Sequence, residues 1–207
     1  MTLRVVTGVY PGGKFTGKLI QPGDFAAVRN HGSAVANLIH FAEILDGGFK
    51  DFEHAIVYVG GPKDLILEAE PGGAKLLPFR EASIAQYDCL WSTINPELDL
   101  TLAQRRRVPA VCDALKGTPY SAVDYFAIAG HRLHIPDLPI IRDNGAHLLA
   151  DSRPQWVTLK DYIADSNHMI CSQLADYVRL LLGSHLYADN RWPGYVTPAD
   201  IGAVILG

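Results

Sequence analysis

Cysteine is scarce in this chain. Its 207 residues include 3 cysteines, an odd number and too few for a disulfide framework. Such usage suits a reducing compartment, or a protein that keeps one thiol for chemistry. An excess of positive charge is also missing. Lys and Arg number 18 against 22 Asp and Glu, a net charge of -4, which argues against a nucleic-acid surface. The one basic run, Arg105-Arg106-Arg107, reads as a solvated helix face. No unbroken apolar stretch approaches the length that spans a bilayer, so no transmembrane segment is expected. The start, MTLRVVTGVYPGG, lacks the apolar core of a signal peptide. The expectation is a protein made in the cytoplasm; delivery outside by a phage particle or secretion machine would leave no such trace. No P-loop or dinucleotide glycine pattern occurs, because the Gly-Gly pairs sit in turns. No cofactor is expected.

What is there is an ordinary globular composition. Hydrophobic residues make up 48% and charged ones 19%, enough for one domain over 1–207 with a real core. Short strands are predicted at 3–6 and 24–29. Apolar residues at helical spacing (Val35, Leu38, Ile39, Ala42, Leu45) predict a helix over 34–45. Strands at 54–59 and 65–70 flank a Gly-Gly-Pro turn and form a hairpin. Further strands follow at 74–77 and 88–94. Thr101 opens a capping box, T-L-A-Q, and a helix toward Lys116 that Pro109 should kink or divide. A short helix or turn is expected at 121–129. The run 131–155 carries Pro136, Pro139 and Pro154 and no clear period. It reads as a loop-rich insertion at about 131–157, or a lid-like loop. Helices are predicted at 158–164 and 171–182, and the tail over 196–206 as a short helix and a last strand. Hairpins, not helical crossovers, join the strands, so the class is α+β with an antiparallel sheet.

Cys171 opens the 171–182 helix, after the polar stretch Asp165, Ser166, Asn167. A thiol in a first helical turn meets backbone N–H groups and the positive end of the helix dipole, and both favour the nucleophilic thiolate. His54 opens a predicted strand upstream and supplies an imidazole to shuttle a proton. In the next strand Glu68 shares its face with Ile66 and Glu70. If the two strands pair, a carboxylate lies near the imidazole and can hold its tautomer. Glu68 and Glu70 compete for that place. The backbone N–H of Cys171 is a candidate oxyanion donor.

The wording around these residues resembles the circularly permuted branch of the NlpC-type papain-fold cysteine hydrolases, the YiiX-like group. The matching elements are P-G-D-F at 22–25, H-A-I-V-Y-V-G from His54, L-I-L-E-A from Leu65, C-S-Q-L from Cys171 and V-T-P-A-D at 196–200. They occur in the family's order over most of the chain. The resemblance implies a permuted papain-like fold, a central antiparallel sheet or half-barrel with the nucleophile at the start of a packed helix. It implies Cys171 as nucleophile, His54 as base and Glu68 as the orienting residue. It implies an amidase or peptidase working through an acyl-thioester, with cell-wall peptide as first substrate. A thiol esterase or lipid acyltransferase is the nearest alternative, and a structural or virion module with a vestigial site is another. Gln173 stands where the family often has Glu, and the 131–155 run has no counterpart.

Blander readings stand beside these. Taken alone, Cys171 reads as a buried structural thiol. Cys89 and Cys112 sit in apolar contexts and read as core. His131 and His134, with Asp137 and Asp143 nearby, are too loosely spaced for a metal site, and none is expected. Tyr120, Tyr125 and Phe126 read as core aromatics.

Overall fold

The computed structural model describes residues 19–29, 52–70, 72–82, 88–120, 139–142, 155–158, 169–187 and 196–207. Among them lie seven strands and three α-helices. The strands are β1 (Phe25–Arg29), β2 (His54–Gly60), β3 (Leu65–Glu70), β4 (Gly73–Pro78), β5 (Asp88–Trp91), β6 (Pro139–Arg142) and β7 (Gln155–Thr158). The helices are α1 (Leu102–Leu115), α2 (Cys171–Leu181) and α3 (Pro198–Leu206). Five strands form one sheet in the order β4-β3-β2-β1-β5, with every pairing antiparallel. The class is therefore α+β. The elements expected at 3–6, 34–45 and 121–129 lie outside the described residues, as does the helix at 158–164 beyond Thr158, which ends β7.

Side-chain alternation divides the sheet into two faces. Phe25, Ala27, Ala55, Val57, Val59, Leu67, Ala69 and Leu90 join one cluster with Val108 and Cys112 of α1, Leu174 and Val178 of α2, and Ile201 and Ile205 of α3. Ala26, Val28, Ile56, Ile66, Cys89 and Trp91 form a second cluster on the other face. Cys89 and Cys112 are thus core residues, as their apolar settings indicate, and Tyr120 packs on the first cluster. No helix among the described residues is long and apolar enough to cross a membrane.

Several details depart from the sequence expectations. The strand at 88–94 ends at Trp91 and becomes a 3-10 turn, Ser92–Ile94. Ser92 Oγ accepts the Phe25 N–H at 3.1 Å, so a hydroxyl takes the place of a ladder carbonyl. Pro109 does not divide α1. It removes one helical donor from the Arg105 carbonyl, on an exposed face. The insertion is not all loop, for β6 and β7 pair antiparallel within and just beyond it. Their Ile140, Ile141, Trp156 and Val157 are β-formers. The tail carries no last strand. Thr197 caps α3, Pro198 fits its first turn, and Pro198, Ile201, Gly202 and Ile205 bury one helical face.

The P-G-D-F element has a packing reason. Gly23 has φ +89°, and a Cβ there would collide with Leu100 Cδ1 and lie 2.9 Å from Val108 Cγ2. Its N–H donates to the Tyr58 carbonyl at 2.8 Å. Asp24 is buried, accepting from Arg105 Nη1 at 2.8 Å and from the Gln21 N–H at 2.7 Å. That pair ties the start of β1 to α1.

Candidate active site

Cys171 is the first residue of α2, after Ile170 in extended conformation. Ile170 has no side-chain oxygen to cap the helix. Instead Gln173 reaches back, and its Oε1 accepts the Ile170 N–H at 2.8 Å, one half of a capping box. A Glu here would make the same bond with a negative charge one turn from the sulfur. Neutral Gln keeps the cap without that charge. Ser172 is fully buried and donates its hydroxyl to the Val196 carbonyl at 2.8 Å. Four apolar residues of α2, Cys171, Leu174, Ala175 and Val178, dock the helix on the first face of the sheet.

His54 is the first residue of β2 and pairs with Val28 of β1. Ile56 stands opposite Glu68, which makes Glu68 a diagonal neighbour of His54 on the same face. His54 Nε2 lies 3.5 Å from Glu68 Oε2, and the Glu68 side chain is 1% exposed. The contact is longer than an ideal N–H···O bond. Neither Nε2 nor either Glu68 oxygen has a hydrogen-bond partner of good geometry among the described residues. The competitor, Glu70, turns to Lys75 at 3.6 Å and is 29% exposed. Of the two carboxylates, Glu68 is the one beside the imidazole.

Burial opposes a charge on His54. The negative charge of Cys171, a hydrogen bond to it and the nearby Glu68 carboxylate together outweigh burial. The net effect raises the imidazole from 6.5 to about 10. With Nε2 toward Glu68, Nδ1 is the nitrogen left for the thiol. The three residues singled out by the sequence therefore meet in one place: thiol, imidazole, carboxylate in a row. Cys171 is buried, and the His54 side chain keeps 14% exposure. Burial pushes Cys112 up to about 12; burial and then Asp88 push Cys89 to about 12.

The sequence reading did not find the ionic groups along α2. Asp176 is fully buried, with Oδ2 3.1 Å from His185 Nε2; His185 Nδ1 lies 3.1 Å from the Tyr187 carbonyl. Arg179 is 2% exposed. It donates to the Leu98 carbonyl and Ser184 Oγ, both at 2.9 Å, and its guanidinium sits 5.6 Å from the Phe25 ring centroid. Burial lowers Arg179 to about 10. A polar residue inside an apolar helical face was the available signal, but its partners are remote in sequence. These groups anchor the far half of α2.

Among the described residues no group of three or more His, Cys, Asp or Glu is arranged to hold a metal ion. His131, His134, Asp137 and Asp143, like Tyr125 and Phe126, lie outside the described residues. No protein-family model matches the chain, and no curated protein matches it.

Proposed function

We propose that this protein is a cysteine hydrolase, an amidase or peptidase that works through an acyl-thioester on Cys171. The observation that carries the reading is the convergence of Cys171, His54 and Glu68, with the imidazole proton held by both neighbours. An imidazolium beside a thiolate is the charge state a thiol nucleophile needs at neutral pH. The thiolate attacks a carbonyl carbon and the carbonyl π electrons move to oxygen. The N–H of Cys171, in the first turn of α2, is the proposed donor to that oxyanion. His54 then gives its proton to the leaving amine as the thioester forms. Water, deprotonated by the now neutral His54, attacks the thioester, releases the acid and restores the thiol pair. Glu68 orients the ring.

The five sequence elements and the antiparallel sheet with a thiol-led helix support a permuted papain-like fold within the α+β class. By the same resemblance, the first substrate is a cell-wall peptide. The test compares wild type with Cys171→Ala on peptidoglycan fragments and on acyl-ester and acyl-lipid panels. Cys171-dependent release of a free amine supports the amidase. Transfer of an acyl chain replaces it with the thiol acyltransferase. Equal behaviour of wild type and variant on every panel leaves a non-enzymatic module.

A further inference from the structure

We infer that the segment 196–202, V-T-P-A-D-I-G, positions the Cys171 sulfur and the His54 ring relative to each other, holding one through Ser172 and the other through Phe52. The inference rests on the reading of Cys171 and His54 as a working pair.

Two independent contacts carry it. At one end the Val196 carbonyl accepts the Ser172 hydroxyl at 2.8 Å. Ser172 follows Cys171 directly, and both are buried. At the other end Gly202 lies against the Phe52 ring. A Cβ at Gly202 would collide with Phe52 Cδ2 and stand 2.5 Å from Cε2. Phe52 is 1% exposed, so the ring has no solvent to retreat into. From Phe52 the chain is tied down at once. The Glu53 N–H donates to the Val28 carbonyl at 3.0 Å, and His54 pairs with Val28. A displaced ring therefore moves the residue that starts β2.

Between the two ends the segment is stiff. The Thr197 N–H and hydroxyl donate to Asp200 Oδ2 at 2.8 Å and 2.9 Å, and the Asp200 N–H donates to Thr197 Oγ1 at 3.2 Å. Pro198 fixes its own φ in the first turn. The result is a short rigid piece with one contact on the nucleophile's neighbour and one on the base's neighbour. Thiol–imidazole transfer depends on spacing at the ångström level, and about 1 Å of misplacement costs on the order of 100-fold. The T-P-A-D element thereby gains a role that its own side chains do not display.

The test measures two things for wild type, Gly202→Ala, Ser172→Ala and the double variant Gly202→Ala/Phe52→Leu. One is the urea midpoint. The other is the pH dependence of Cys171 alkylation by iodoacetamide, located by peptide mass mapping. A packing role alone moves only the midpoint. Positioning predicts that Gly202→Ala slows neutral-pH alkylation of Cys171 by about tenfold or more. The smaller Leu side chain should restore the rate to within roughly threefold, because it vacates the space the Cβ needs. Ser172→Ala should shift the profile in the same direction; it changes little volume and carries the test if Gly202→Ala does not fold. Wild-type profiles in both single variants overturn the inference. If wild-type Cys171 shows no preference over Cys89 and Cys112, the reading of the pair itself fails, a result distinguishable from the other.

Discussion

Glu68→Gln removes a carboxylate whose oxygen lies 3.5 Å from His54 Nε2. Two unit charges at that separation attract by about 5 kcal/mol at an effective dielectric near 20, which is a ceiling. Cys171 holds the imidazole proton more strongly than Glu68 does, and glutamine keeps a polar oxygen at the site. The variant should therefore lose only about 1.5–3 kcal/mol of proton affinity, a ten- to hundredfold change. The sign follows from the direction. Glu68 helps raise His54, so its loss lowers the ring from about 10 by roughly one to two pH units. The assay is an NMR titration of the His54 ring between pH 5 and 11 in both proteins. Glu70→Gln is the matched control. Its partner Lys75 is 49% exposed, and such a pair contributes less than about 1 kcal/mol. A larger displacement of His54 in Glu70→Gln than in Glu68→Gln, or none in either, would refute the reasoning.

Iodoacetamide should label Cys171 before Cys89 and Cys112 in the native protein. All three are 3% exposed or less; equal slow labelling would count against an activated thiol. Turnover should persist into the alkaline range and fall as pH passes about 10, where the raised His54 gives up the proton that the leaving group needs; an alkaline limb near the ordinary histidine value would contradict it. Gly23→Ala should cost about 2–4 kcal/mol in urea unfolding, because a positive φ and a collision with Leu100 and Val108 act together. It should leave the Cys171 alkylation profile unchanged, since Gly23 pairs with Tyr58, toward the opposite end of β2 from His54.

Local patterns carried much of the fold. Alternation in H-A-I-V-Y-V and the glycine turn after it defined the β2–β3 hairpin, and the capping box of Thr101 marked a helix start. The thiol's place at a helix start was legible for the same reason. The choice between Glu68 and Glu70 was not. Both share a face, and which one reaches His54 depends on the register of Ile56 opposite Glu68 and on Lys75 drawing Glu70 away. The end of β5 at Trp91 depended on one hydroxyl from Ser92 meeting Phe25 across the sheet. Gly202 against Phe52, Ser172 on Val196 and Asp24 with Arg105 join residues far apart in the chain. No periodicity encodes such contacts, because they arise only once the elements pack.

The proposed mechanism requires that His54 keep Cys171 as a thiolate at neutral pH. The most direct test is the rate of Cys171 alkylation between pH 5 and 10 in wild type and His54→Ala. Wild type should show a fast plateau across neutral pH, and the variant a rate at pH 6 at least about 100-fold lower, climbing only in the alkaline range. Superimposable profiles would contradict it.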